Sequence, residues 1–158
     1  MILLPLLLQT TPVQPLPRAT PLPPPVSEET QVLAPVEALF AALTARDGAA
    51  IRARALPNAT TVASVERPDG TRTIRQLALA DFAAGLKPGP ERFEERFVGT
   101  PAVEIDGDMA MVWGTYVFLI DGKLSHCGVD HVSLLRESGA WKIAHIAWTQ
   151  RTNDCPAP

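Results

Sequence analysis

The last third of the chain, from Met109 to Arg151, constrains the fold most. Three runs rich in β-branched and aromatic residues follow one another there: MAMVWGTYVFLI, KLSHCGVDHVSLLR and AWKIAHIAWTQR. Only Asp121-Gly122 and Glu137-Ser138-Gly139 separate them. Asp-Gly supplies the positive φ angles that a two-residue hairpin turn requires, so the three runs read as an antiparallel meander. That arrangement puts all the histidines, His126, His131 and His145, on two adjacent strands.

Upstream, the pattern alternates between helix and strand. Ala34 to Ala45 places Val36, Leu39, Phe40 and Leu43 at helical spacing, with Pro35 in the first turn. Arg46-Asp47-Gly48 interrupts it, and Asp47 can cap a second short helix reaching about Ala55. Ala59–Glu66 and Thr71–Leu77 lean towards strand and are joined by the turn signal Arg67-Pro68-Asp69-Gly70. Ala78–Leu86 returns to helical spacing, and Lys87-Pro88-Gly89-Pro90 stops it. Glu91 to Ile105 reads as one long strand, bent near Gly99-Thr100-Pro101. Helices first, then a hairpin and a short helix, then long antiparallel strands: the order predicts an α+β domain with helices on one face of a curved sheet.

A chain of 158 residues suits one domain with a real core. A net charge of −3 and no lysine-rich cluster exclude broad binding to nucleic acid or anionic membranes, both of which need a basic field. There is no glycine-rich phosphate loop and no Cys-x-x-Cys pair, and neither cofactor nor metal is expected. Met1–Leu8 is almost wholly apolar but far short of the ~20 residues of a membrane span. Residues 1–11 read as a secretory signal-like segment, although no Lys or Arg precedes the apolar run and Pro5 interrupts it; an apolar tail is the alternative. Residues 12–31 carry Pro12, Pro15, Pro17, Pro21 and the run Pro23-Pro24-Pro25, the composition of an extended, disordered linker. The folded domain is expected over 32–155, in an exported protein of the periplasm or the outside medium.

An even cysteine count in an exported chain suggests a bridge. Cys127 lies mid-strand, and Cys155 follows the last strand where the chain can fold back. A Cys127–Cys155 bridge would contribute on the order of 3–4 kcal/mol by the loop-entropy model. Two free thiols are the other reading.

The order of elements, together with GDMAMVWGTYVF, DGKLSHCGVDHVSLLR, SGAWKIAHIAW and a cysteine just after the last strand, resembles the nuclear transport factor 2-like superfamily. Within it the likeness is to the SnoaL-like and lumazine-binding-type exported bacterial members, over roughly residues 32 to 155. Its most specific piece is Trp141-Lys142-Ile143 with His145 two positions on. The resemblance implies a cone-shaped domain with an apolar pocket between helices and sheet, often dimeric through the sheet. It also implies a superfamily that mixes isomerases, dehydratases and cyclases with members of no known activity. The Tyr and Asp pair of its ketosteroid-isomerase-like members finds no matching positions here, and Asp81 reads as a first-turn acid of a helix.

Where chemistry could sit follows from register. A three-residue loop at Glu137-Ser138-Gly139 places His131 opposite His145 and Ser133 opposite Ile143. A two-residue turn at Asp121-Gly122 sets Cys127 against Tyr116 and Asp130 against Trp113. Alternation then gathers Tyr116, His131 and His145 on one face with Val112, Phe118, Val129, Trp141 and Ile143. Taking that face as the pocket wall, with Phe40 and Phe82 from the helices, makes His131, His145 and Tyr116 the candidate catalytic groups in an apolar shell. If the faces are inverted, His126 and Asp130 become the pocket pair. Both faces are largely apolar, which predicts that a second copy of the chain covers one of them.

Three functions compete on this evidence. One is an exported homodimer whose pocket binds a small hydrophobic molecule. Another is an isomerase or dehydratase acting on a hydrophobic carbonyl compound. The last is a dimerisation module with a filled pocket, in which the histidines are simply hydrogen-bonded.

Overall fold

The computed structural model describes residues 26–157; the signal-like segment and most of the proline-rich segment lie outside the described residues. Chain order is α1 (Glu28–Thr44), α2 (Gly48–Ala53), β1 (Ala55–Glu66), β2 (Arg72–Ala78), α3 (Leu79–Gly85), β3 (Phe93–Phe97), β4 (Ala102–Asp106), β5 (Met109–Ile120), β6 (Lys123–Glu137) and β7 (Ala140–Gln150). The seven strands form one sheet in the order β2-β1-β7-β6-β5-β3, with β4 also paired to β5. Every pairing is antiparallel except β1 with β7, which runs parallel. The predicted α+β architecture, helices on one face of a mainly antiparallel sheet, is the one observed.

Local chemistry explains the element ends. The helix predicted over 34–45 begins at Glu28, because the Ser27 hydroxyl accepts the Thr30 amide at 3.2 Å and caps it. Pro35 therefore sits inside the helix rather than in its first turn. Asp47 caps α2 as expected, its carboxylate accepting the Ala50 amide at 2.9 Å. The long strand predicted over 91–105 is two strands, since Gly99 takes a φ of 79° and turns the chain between β3 and β4.

Helix α1 buries Val32, Val36, Leu39 and Leu43 against the sheet, a stripe at helical spacing. They meet Val112 of β5, Val132 and Leu134 of β6, and Ile143 and Ile146 of β7 in one continuous core. Each such side chain contributes roughly 1.5–3 kcal/mol on leaving water. Helix α3 closes over α2, where a Cβ on Gly48 would come within 2.2 Å of the Ala83 carbonyl oxygen. Glycine is the residue that allows that approach.

Two bulges decide which side chains face the helices. The β5–β6 turn is the expected two-residue Asp121-Gly122, with φ of 52° and 74°. Beyond it the ladder slips, pairing Leu119 with Leu124 and Phe118 with His126, which leaves Ser125 as an extra residue on β6. The β6–β7 connection is a two-residue Ser138-Gly139 turn rather than the expected three-residue loop, because Glu137 pairs with Ala140. A second slip pairs Leu134 with Ile143 but Ser133 with His145, leaving Ala144 extra on β7. The expected register is corrected accordingly: Ser133 faces His145, His131 faces Ala147, Cys127 faces Val117 and Asp130 faces Gly114.

Candidate functional site

A cavity of about 220 Å³ opens between α1, α3 and the core face of the sheet. Its walls are mostly apolar, from Leu39 and Leu43 of α1, Phe82 and Leu86 at α3, and Phe93, Phe118, Ile146 and Trp148 of the sheet. The aromatic rings brace one another. Phe82 meets Trp148 edge-on at 6.0 Å between centroids, and Phe118 stacks flat on the His126 imidazole at 4.7 Å. At the rim, Arg46 lies over the Phe93 ring at 3.7 Å. Its guanidinium also donates to the Lys87 and Glu91 carbonyls and pairs with the Glu91 carboxylate, each at 2.9 Å. This clamp holds the proline-rich 87–91 loop to the end of α1.

Two carboxyls enter this apolar space. Glu95 comes from the middle of β3, paired with Phe118 and flanked on the same face by Phe93 and Phe97. Asp130 comes from β6, is only 4 % exposed, and its Oδ2 has no hydrogen-bond partner among the described residues. Asp130 faces Gly114, against which the Phe97 ring packs. Burial pushes the Glu95 carboxyl up to about 8. Burial, and then the neighbouring Glu95, hold Asp130 well above the usual carboxylate range. A carboxyl in an apolar wall holds its proton because the charged form has lost its water.

The other polar groups are already engaged. Tyr116 is buried, and its hydroxyl donates to the Thr149 carbonyl at 2.9 Å. Burial, then the charges of Asp130 and Glu95, push that hydroxyl far above the ordinary phenol range. The ring can cross to β7 because Gly128 lies opposite Tyr116; a Cβ there would come within 1.8 Å of the Thr149 oxygen. Thr61 donates to the Leu77 carbonyl at 3.3 Å. His126 contacts the Ser125 hydroxyl at 3.2 Å, and burial pushes its imidazole down to about 4, so it is neutral near pH 7. Gln150 completes the polar lining.

The sequence-predicted residues divide between the two faces. Tyr116, Phe82 and Phe118 line the cavity. Val112 and Ile143 are buried in the core beneath it, Phe40 packs on Phe97 at 5.1 Å, and Trp141 is buried with the Arg136 guanidinium over its ring. His131, His145 and Val129 lie on the opposite face. There His145 Nδ1 meets the Thr60 hydroxyl at 2.8 Å, while His131 lies 3.5 Å from the Ser133 hydroxyl and beside Trp113. His126 and Asp130, the pair that follows from inverted faces, are the ones in the cavity. Glu95 was not singled out. Its signal was the alternation Phe93, Glu95, Phe97, which puts one carboxyl on an apolar strand face.

Cys127 and Cys155 form the expected disulfide, with Cα atoms 5.6 Å apart. It packs on Val117, Leu119 and Val98, away from the cavity. Among the described residues, no three or more His, Cys, Asp or Glu side chains converge as a metal site would require. Also among the described residues, no helix is long and apolar enough to cross a membrane.

No family model matches the chain. No curated protein matches it either. Solved structures do match, at low identity. A nuclear transport factor 2-like protein from Cytophaga hutchinsonii is 13 % identical with a TM-score of 0.63, covering 80 % of this chain and all 100 % of its own. The CaMKII hub of S. rosetta is 19 % identical with a TM-score of 0.61, over 80 % of this chain and 99 % of its own. A candidate dehydratase of the nuclear transport factor 2-like family from Streptomyces avermitilis is 17 % identical with a TM-score of 0.57, over 79 % and 96 %. At such identities the likeness is one of fold: the chain has the nuclear transport factor 2-like fold.

Proposed function

We propose that this chain uses its nuclear transport factor 2-like fold to bind a compact, mainly hydrophobic small molecule in the cavity between α1, α3 and the sheet. The observation that carries the reading is a cavity whose walls are apolar and whose few polar groups converge, with Asp130 Oδ2 left unpartnered. Hydrophobic walls with a small number of placed polar groups are the usual make-up of small-molecule sites. A volume of about 220 Å³ is below the ~300–1,000 Å³ of most such sites, so the ligand is small. An open cavity argues against the filled dimerisation module.

A second reading is favoured by the acid pair. Two carboxyls with raised pKa values in one cleft are suited to giving and taking a proton near neutrality, as an isomerase or dehydratase requires. The streptomycete fold relative described as a candidate dehydratase is consistent with it. In either reading His131 and His145 stand away from the ligand, and Tyr116 orders the wall through Thr149.

The chain is further proposed to be exported and to pair with a second copy through the outer sheet face. Support for export comes from the disulfide and the apolar first residues. Support for pairing comes from Met109, 58 % exposed, and Trp113, 51 % exposed, on that face.

Proton NMR of the histidines tests the cavity reading directly. Compact aromatic alcohols, ketones and amines should shift the His126 ring protons and leave His131 and His145 in place. Ile146→Trp, which fills the cavity, should abolish the shift. A His126 signal indifferent to every compound would sink the proposal.

A further inference from the structure

The charged side chains that line the cavity are all of one sign. Glu95 and Asp130 reach it, while among the described residues no Lys or Arg does. Arg46 stands at the rim with its guanidinium committed to Glu91 and the Phe93 ring, and Arg151 follows β7 outside the lining. The Tyr116 and Thr61 hydroxyls already donate to backbone carbonyls, whereas Asp130 Oδ2 has no hydrogen-bond partner among the described residues. Around them stand the π faces and edges of Phe82, Phe93, Tyr116, Phe118 and Trp148.

Resting on the cavity reading above, we infer that the ligand is a hydrophobic amine, whose ammonium group sits between Glu95 and Asp130 within the aromatic wall. An ammonium brings only donors and one positive charge, and this site supplies carboxyl oxygens that can ionise against it and aromatic faces. An anionic ligand would meet two acids and no cation. A neutral ketone would use the acids only as donors and leave most of their acceptor oxygens unmatched.

Seating the amine carries a proton consequence. Burial favours the protonated form of both acids in the empty cavity, pushing Glu95 up to about 8 and Asp130 well above the usual carboxylate range. The facing titratable groups do not compete: His126 is neutral, and Tyr116 holds its proton against Thr149. When an ammonium enters, one carboxyl O–H bond breaks, its proton passes to the buffer, and the ammonium keeps its own. An ion pair replaces a neutral acid.

Isothermal titration calorimetry on the full chain tests this with 2-phenylethylamine, 2-phenylethanol, acetophenone and phenylacetate. The expected result is tightest binding of the amine, by about tenfold over the alcohol. Comparison of two buffers of different ionisation enthalpy should show about one proton released per amine bound and none for the alcohol. Glu95→Gln with Asp130→Asn should erase the amine preference, so that amine and alcohol bind with similar affinity and no proton is released. If that double variant fails to melt cooperatively, the proton count on the unaltered protein decides. Alcohol or ketone binding as tight as amine, or amine binding without proton release, overturns the inference but leaves the cavity reading standing. Binding by none of the four removes both.

Discussion

Glu95, Asp130 and His126 make stability depend on pH in opposite directions. An acid whose folded pKa is raised binds more protons in the folded state, so its cost is absent below the unfolded value and complete above the folded one. Glu95, moved from 4.5 to about 8, therefore erodes stability as pH climbs through that window, and Asp130 adds to the slope. His126, moved from 6.5 down to about 4, does the reverse. Its stabilising neutrality is present above pH 6.5 and is lost as pH falls towards 4. Between about pH 4.5 and 6.5 the Glu95 and His126 contributions oppose each other, and above 6.5 the acids act alone, so the melting temperature should fall as pH rises from 6.5 towards 8. Glu95→Gln should flatten the alkaline limb and stabilise the protein at pH 8 by on the order of 3 kcal/mol. His126→Gln, which removes the opposing contribution, should extend that fall to below pH 6.5. Calorimetry across pH 4 to 9 checks both, and a Glu95→Gln curve that overlays the parent would refute the acid assignment.

Strands β5, β6 and β7 form the wall, and their irregular points carry the site. Gly128 gives Tyr116 passage to Thr149, and the Thr149 hydroxyl in turn accepts the Val129 amide at 2.9 Å. Gly128→Ala puts a methyl 1.8 Å from a backbone oxygen, so β7 must shift; roughly 1–3 kcal/mol should be lost on urea denaturation. Amide exchange should quicken at Val129 first. The Asp121-Gly122 turn was legible beforehand because Asp-Gly announces positive φ angles, whereas the β6–β7 turn proved one residue shorter than its sequence suggested. The bulges were not legible. Ser125 and Ala144 carry no local signal, yet each extra residue reverses the face of everything beyond it until the next slip. That is why Ile143 points to the core while His145, two residues on, points away, and why Asp130 shares the cavity with Tyr116.

In the whole molecule, two features bear on stability and on the proposed pairing. The Cys127–Cys155 bridge closes a span of 28 residues and ties the C-terminal segment to β6. Replacing both cysteines with alanine should cost on the order of 3 kcal/mol by loop entropy, read as a lower denaturation midpoint with an intact cavity. The outer sheet face leaves Trp113, Met109 and Leu135 in solvent, which a monomer would not ordinarily tolerate as a patch. Trp113→Lys should shift sedimentation from dimer to monomer without loss of ligand binding. A parent chain that sediments as a monomer at all concentrations would remove the pairing proposal.

Local chemistry was enough to settle fold class, most of the element order and the Asp121-Gly122 turn, and to suggest the bridge, since each rests on periodicity, turn residues or cysteine placement that a short window contains. Helix α1 began earlier than its apolar spacing suggested because a single serine cap outweighed an internal proline. Face assignment needed the folded sheet. It depends on the register accumulated along two hairpins, and a slip of one residue, worth little energy locally, exchanges a histidine pair for two acids as the polar groups of the cavity.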